Sequence, residues 1–356
     1  MKFPMLTSDT TGLIGIDLGT SSLKLVELAK SADGFEVVAH AQVPMPRDCL
    51  VENEVVDSIL FADALTALME AAQPTSNQAA IAIAGSALFN MTISLPYAEE
   101  FDLELTIHEV AAEYIPFAIE DVYLDFFIQG PREDDPDTMD VVLVACRREV
   151  VDDLQLALLD AGLDLALVDG ALFALANTLE LAPKEDASAE DDSVRDEDGA
   201  PVEVLINIGA QMMNVNIMRE GRSWLVRDYF FGGERLTNLM QEELHIGFAK
   251  AEAAKLHGQI SDDVRTQFLD ELASEVMRAI DIYATDHGDW PVSCVILTGG
   301  VALLPGLVEA MQDRLGVEQV SLWDVGEHLH FVGCERFVSG AQMTMATGLA
   351  LRAFDG

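Results

Sequence analysis

LIGIDLGTSSLK, residues 13–24, joins an apolar strand to a second strand through a short turn of glycine and hydroxyl residues. Asp17 closes the first strand, and Gly19 permits a backbone conformation that is barred to other residues. Lys24, on the returning strand, can reach back towards the turn. Hydroxyls and amides in such a turn can point at phosphate oxygens, although a purely structural hairpin explains the same residues equally well. The hydroxyl residues are Thr20, Ser21 and Ser22.

Two later turns stand at comparable places, each after an apolar strand. The second is INIGAQMMNVNI at 206–217, and the third is ILTGGVALLPGL at 296–307. In the third turn, Gly299 and Gly300 let the backbone approach a ligand just before a helix. We therefore expect the turns around Gly19, Gly209 and Gly299 to reach one cleft between two similar lobes.

The order of predicted elements supports two lobes. LIGIDL, LKLVEL and FEVVAHAQV predict three consecutive strands, and the theme recurs in VEVLINIG, NVNIMREG and SWLVRDYFF. We predict a first lobe at 1–87 plus 168–182, an inserted αβ subdomain at 88–167 and a second lobe at 202–356. The segment 183–201 carries eight acidic and two basic residues and almost no large apolar one, which predicts a disordered linker.

Composition limits the classes of function. With 356 residues, half of them hydrophobic, the chain can bury a large core. Its 20 basic and 62 acidic residues give a formal charge of -42, which repels nucleic acid and anionic membranes alike. Nucleic acid is therefore not an expected partner. The same charge predicts self-repulsion, and hence stability that rises with salt.

Cellular location follows from what the sequence contains. A long uncharged stretch at 74–98 alternates apolar and polar residues as two strands would, and the first residues lack the apolar core of a signal peptide. The four cysteines are scattered, with no metal-binding spacing, as expected of free thiols in a reducing compartment. We expect a soluble, cytoplasmic protein.

Three glycine turns in this order resemble the phosphate-1, phosphate-2 and adenosine motifs of the actin, Hsp70 and sugar-kinase superfamily. Within it, the chain is most similar to the PilM-type family of type IV pilus assembly proteins, a relative of FtsA. This resemblance implies an α/β, actin-like (ribonuclease H-like) two-lobed ATPase fold with an FtsA-type inserted subdomain. The segments that carry it are GIDLGTSSLKLVEL, EYIPFAIEDVYLDF, FGGERLTNLMQEEL, AEAAK and LTGGVALLPGLVEAMQDRLGV.

The resemblance also implies an ATP site. Its phosphate-2 turn would contain Asn207 and Gly209, and Glu252 and Lys255 would lie near the ribose or base. A solvent-exposed ion pair three residues apart on one helix is the alternative for that last pair. The remaining residues implied in nucleotide binding are Asp17, Gly19, Thr20, Ser21, Ser22 and Lys24 at the first turn and Gly299 and Gly300 at the adenosine.

Departures from the family pattern argue against an enzyme. The second turn has Asn207 where the family usually has Asp, and Met212 and Met213 where it has hydroxyl residues. A neutral amide cannot neutralise Mg²⁺ as a carboxylate does, and a thioether donates nothing to phosphate. Ala171 stands where relatives often carry an acidic residue. We expect no catalytic residue, only Asp17 as a weak Mg²⁺ candidate, and little hydrolysis.

The resemblance implies a scaffold. Such proteins bind the N-terminal cytoplasmic tail of a PilN-type inner-membrane protein, and we expect docking between the first lobe and the inserted subdomain. A motor ATPase or platform protein is a further implied partner. The chain would be peripheral to the inner membrane through its partners, without inserting directly. The alternative is an actin-like ATPase that polymerises, or a sugar kinase, which needs a carboxylate base and an intact Mg²⁺ site.

Overall fold

The computed structural model describes residues 12–32, 34–132, 135–182, 202–219, 221–287 and 291–354. The predicted acidic linker at 183–201 lies outside these residues. The described residues form two compact units. Unit 1 draws on Met1–Ala174, His330–Glu335 and Met345–Gly356, and unit 2 on Leu175–Leu329 and Arg336–Thr344.

The elements are numbered in chain order. The strands are β1 (Leu13–Leu18), β2 (Ser22–Ser31), β3 (Gly34–Pro44), β4 (Leu50–Val51), β5 (Glu54–Val55), β6 (Gln78–Ile83), β7 (Leu88–Pro96), β8 (Val122–Pro131), β9 (Thr138–Arg147), β10 (Asp164–Gly170), β11 (Val202–Ile208), β12 (Met213–Arg219), β13 (Arg222–Tyr229), β14 (Val292–Thr298), β15 (Gln319–Leu322) and β16 (His330–Phe331). The helices are α1 (Ser58–Ala72), α2 (Glu100–Ala111), α3 (Arg148–Asp160), α4 (Ala171–Asn177), α5 (Gly233–Leu244), α6 (Phe248–Leu256), α7 (Asp262–His287), α8 (Leu307–Leu315) and α9 (Gly340–Leu351).

The main sheets of the two units share one topology. In unit 1 the strand order is β10-β6-β1-β2-β3-β16, and in unit 2 it is β15-β14-β11-β12-β13. Each sheet has an antiparallel meander of three successive strands, and the first of these pairs in parallel with a later strand, β6 or β14. The predicted recurrence of the opening theme is thus confirmed strand by strand.

Apolar helix faces cover these sheets. In α1, the buried residues Phe61, Leu65 and Leu68 recur at helical spacing and join the core of the six-stranded sheet. Asp57 begins this helix by accepting a hydrogen bond from the Leu60 amide at 3.0 Å. In unit 2, α5, α7 and α8 pack on the five-stranded sheet through residues such as Phe268, which is fully buried.

A third sheet, of order β7-β9-β8, belongs to unit 1 and packs with α2 around a separate apolar core. The predicted αβ module at 88–167 differs from the structure at its end. Leu154 and Leu158 of α3 lie in the core of the six-stranded sheet, and β10 pairs in parallel with β6 of that sheet. The segment with its own sheet and core therefore ends at Arg147.

Among the described residues, no helix has both the length and the apolar character needed to cross a membrane.

Candidate functional site

The first turn of unit 1 is held by an ion pair. Lys24 Nζ lies 2.8 Å from Asp17 Oδ2 and donates to the Ser22 carbonyl at 3.3 Å. Direct cross-strand pairing of Asp17 with Lys24 puts both side chains on one face of the sheet. The Ser22 hydroxyl accepts from Gln42 Nε2 at 3.1 Å, and Thr20 and Ser21 form the turn between the strands. Lys24 therefore neutralises Asp17 within the turn itself.

Gly19 is required for space, not for an unusual backbone conformation. A Cβ at this position would lie 2.8 Å from the Ser22 carbonyl oxygen and 3.2 Å from Lys24 Nζ, and no positive φ is found there. The predicted conformational reason is thus wrong. A side chain at Gly19 would push apart the groups that position Lys24.

The second glycine turn, around Gly209, lies in unit 2 and supports the start of α5. The Gly233 amide donates to the Gly209 carbonyl at 2.9 Å, and the Glu234 amide donates to the Ala210 carbonyl at 2.8 Å. A Cβ on Gly232 would lie 2.5 Å from the Ala210 oxygen. Only glycine fits this contact, so the turn and the N-terminus of α5 form one rigid piece.

The third turn meets the second. Gly299 has a φ of +90°, and a Cβ there would lie 2.5 Å from Asn207 Oδ1 and 2.6 Å from the Ile208 carbonyl oxygen. Gly300 stands next to it, with the Gln342 amide nitrogen 3.4 Å from its Cβ position. The structure therefore brings the turns of Gly209 and Gly299 together in unit 2. A site that they share with the Gly19 turn stays a prediction.

Glu252 and Lys255 of α6 form more than a surface ion pair. Lys255 Nζ lies 2.7 Å from Glu252 Oε2, 2.9 Å from the Thr237 hydroxyl and 3.1 Å from the Gly233 carbonyl oxygen. Thr237 is fully buried on α5, and its hydroxyl lies 2.5 Å from Glu252 Oε2. The Lys255 side chain is only 16% exposed. The solvent-exposed alternative is thus wrong, because the pair joins α6 to the glycine turn.

The positions that depart from the family pattern have structural roles. Met213 is fully buried in the core, while the Met212 carbonyl accepts from the Gly209 amide at 2.9 Å. Ala171 is buried two residues after Asp169, whose carboxylate lies 2.7 Å from Arg352 Nε. No cluster of three metal-binding side chains is found in the part of the chain that the structure describes.

The cationic groups beside the turns are Lys24 in unit 1 and Lys255 in unit 2, and each suits an anionic group such as phosphate better than a bare cation. Thr237, Gly232 and Gly233 were not among the site residues expected from the sequence. The paired glycines before a helix were a usable signal, since two adjacent glycines at a helix start suit close approach of another backbone. The sequence around Thr237 gave no such signal, because a threonine within an amphipathic helix is equally compatible with simple burial.

Paired sheets of one topology, with glycine turns at the ends of their first strands, define an actin-like fold. Two solved structures support this class. Ethanolamine utilization protein EutJ from Carboxydothermus hydrogenoformans is 16% identical, with a TM-score of 0.55 over 95% of this chain and 88% of that one. MreB 5 of Spiroplasma citri bound to AMPPNP is 11% identical, with a TM-score of 0.50 over 96% of each chain.

The particular family is shown by sequence. Residues 15–354 match the family described as type IV pilus assembly protein PilM, and the chain belongs to this family. A solved structure described as a PilM-PilN type IV pilus biogenesis complex is similar as well. Its matching chain is 26% identical, with a TM-score of 0.81 over 98% of this chain and 100% of that one. The resemblance inferred from the sequence is confirmed.

Proposed function

We propose that this chain is a cytoplasmic scaffold of the type IV pilus inner-membrane assembly complex and binds the N-terminal cytoplasmic tail of a PilN-type membrane protein. The observation that carries the proposal is the likeness to a chain of a solved PilM-PilN type IV pilus biogenesis complex, over 98% of this chain and 100% of that one. Membership of the PilM family supports the same role. Association with the inner membrane would then depend on the partner.

The inserted segment of unit 1 supports a docking role. Its described residues include exposed aromatic side chains at Tyr97, Tyr114, Phe117 and Phe127, and Phe127 is 49% exposed on β8. Exposed apolar groups of this size are typical of interaction sites. β8 is also an edge strand of its sheet. The net charge of -42 favours a tail that carries Lys and Arg, because opposite potentials accelerate encounter.

The test is isothermal titration of the purified chain with a synthetic peptide of the N-terminal tail of the PilN-type protein encoded beside it. We expect saturable binding that weakens with salt. Phe127→Ala should weaken it about three- to tenfold, since Phe127 is 49% exposed and burying the exposed half contributes about half of the roughly 1.5–3 kcal/mol of a whole phenylalanine. Val338→Ala is the matched control, because Val338 is fully exposed in unit 2. Absence of heat at peptide concentrations of about 1 mM would refute the proposal.

We also infer that ATP is a structural ligand that is hydrolysed slowly or not at all. The network of Lys255, Glu252 and Thr237 supports adenosine or phosphate binding beside Gly233. Low hydrolysis is supported by Asn207, since transfer of a phosphoryl group needs a well-placed metal and an oriented water.

A motor ATPase or platform protein as a second partner is an extension of the scaffold proposal.

Nucleotide extracted from protein purified without chelator tests the inference. Adenine nucleotide should be present in the natural chain and lost from Lys255→Met. Lys250→Met is the matched control, because Lys250 lies on the same helix and is exposed. Absence of nucleotide from both the natural chain and the control would contradict the inference. Phosphate release well above that of Lys24→Ala would favour the polymerising ATPase or kinase alternative.

A further inference from the structure

A ladder of polar side chains crosses three strands of unit 2. Asn207 of β11 is directly opposite Asn214 of β12, which is directly opposite Asp228 of β13. The Asn207 and Asn214 side-chain amides are 2.8 Å apart, and the Asn214 amide lies 2.6 Å from Asp228 Oδ1. Asn214 is only 3% exposed, so water can do little to replace these partners.

The carboxylate sets the direction of the whole ladder. An ionised carboxylate can only accept, so the Asn214 group that faces Asp228 must be its NH₂. The Asn214 oxygen must therefore face Asn207, and the group of Asn207 that faces it must again be an NH₂. The charge of Asp228 thus fixes which atom of each amide is the oxygen and which is the nitrogen.

The direction of the ladder decides which atom Asn207 presents at the end of β11. With its NH₂ turned to Asn214, Asn207 presents its oxygen to the opposite side, where it lies 2.5 Å from the Cβ position of Gly299. β11 and β14 are parallel neighbours, and Asn207 is in register with Thr298 at their carboxyl ends. Ligands of open α/β sheets bind beyond such strand ends. This strand end therefore offers an acceptor where a reversed amide would offer a donor.

We propose that Asp228 is a positioning residue, which acts through Asn214 to hold the Asn207 oxygen towards the nucleotide. The proposal deepens the inferred ATP binding and rests on it. An amide oxygen accepts hydrogen bonds from the water shell of a divalent cation, whereas an amide NH₂ opposes a cation. Asn207 thus presents an acceptor oxygen, although no charge, at this strand end, and the chain takes nucleotide with its hydrated cation.

A double-substitution cycle tests the ladder without any ligand. Asn207→Asp places a carboxylate against the Asn214 oxygen, because Asn214 cannot turn its NH₂ to two carboxylates on opposite sides. We expect the melting temperature to fall by roughly 3–10 °C. Adding Asp228→Asn lets the side-chain amide of Asn214 turn its NH₂ towards position 207. This second change should therefore raise the melting temperature of the Asn207→Asp protein, whereas in the natural chain Asp228→Asn should not raise it.

The same fall from Asp228→Asn in both backgrounds would overturn the proposal, because independent sites are additive. The cation part is read from equilibrium binding of the fluorescent analogue mant-ATP with and without MgCl₂. MgCl₂ should raise the affinity for mant-ATP by a factor that is roughly two- to tenfold smaller in Asp228→Asn than in the natural chain. Glu203→Gln, which removes a charge from β11 outside the ladder, should keep it.

The two levels of the proposal fail in different ways. If mant-ATP binds neither the natural chain nor any variant, the inferred ATP binding is wrong and the cation role with it. The reversal of sign in melting temperature still decides whether Asp228 sets the direction of the ladder. If mant-ATP binds and Asp228→Asn keeps the full Mg²⁺ dependence, ATP binding stands and the positioning role is refuted.

Discussion

Thr237→Val should destabilise unit 2, because the Thr237 hydroxyl joins two charged side chains inside the protein. The hydroxyl lies 2.5 Å from Glu252 Oε2 and 2.9 Å from Lys255 Nζ, and Thr237 is fully buried. Valine has the same shape but neither donates nor accepts. Hydrogen bonds to charged groups contribute about 1.5–3 kcal/mol each. Glu252 and Lys255 keep their mutual contact at 2.7 Å, so we expect a net loss of about 2 kcal/mol.

Tryptophan fluorescence during urea unfolding measures this loss selectively. The three tryptophans of the sequence, at positions 224, 290 and 323, all fall in the unit 2 part of the chain. A loss of about 2 kcal/mol should lower the urea midpoint by about 1 M, given a slope of roughly 2 kcal/mol per M. The slope itself should not change, because the substitution leaves the surface exposed on unfolding unaltered.

Thr285→Val is the matched control. The Thr285 hydroxyl donates only to the Asp281 carbonyl of its own helix, at 2.8 Å, and Thr285 is exposed in unit 2. Its removal should change stability by less than about 0.5 kcal/mol. If Thr237→Val shifts the midpoint no further than Thr285→Val does, the network of Thr237, Glu252 and Lys255 is not a stabilising connection, and the reasoning about it is wrong.

Three further outcomes are expected. Gly299→Ala should lower the free energy of unfolding by roughly 2 kcal/mol or more in the same urea assay, since it combines a positive φ with a clash. Gly221→Ala, at a φ of +72° with open space around it, should lower it by only about 1 kcal/mol. Burial raises the pKa of Asp125 to about 6, so the folded state keeps this proton where the unfolded state releases it, and stability falls between about pH 4 and pH 6. Asp125→Asn should therefore raise the melting temperature at pH 8 and not at pH 4, and equal effects would contradict the assignment. Calorimetry should also show melting temperatures that rise between 0.05 and about 0.5 M NaCl, because the charge of -42 is screened, and a flat series would exclude self-repulsion as a significant cost.

The sequence predicted the meanders and main helices because each spans enough residues to show its period. LIGIDL and VEVLINIG are apolar runs with a glycine turn behind them, and both are first strands of a meander. β4, β5 and β16 have two residues each, which is too short for any periodicity, and they were missed. The partner of β10 could not be predicted either, because parallel pairing with β6 depends on contacts far apart in the chain.

At the candidate site, local sequence identified the glycines but not what they contact. Gly299 was predicted to let the backbone approach a ligand, and in the structure Asn207 and Ile208 of the protein itself lie close to it. Thr237 and Asp228 are recognisable only once α5 packs on α6 and β13 pairs with β12. Side-chain partners across elements depend on register and packing, which the pattern of a single segment does not contain.

The charges beside the glycine turns bear on the proposal that ATP is bound and is hydrolysed slowly or not at all. Lys24 pairs with Asp17 in unit 1, and Lys255 pairs with Glu252 in unit 2, so each lysine is already neutralised by the protein. Catalysis of phosphoryl transfer depends on uncompensated positive charge aimed at oxygens that become more negative in the transition state. A lysine that is already paired adds little to that stabilisation, and the three N–H groups of Lys255 already have partners in Glu252, Thr237 and Gly233. Together with a neutral amide at Asn207, these pairs agree with the proposal that ATP is a structural ligand.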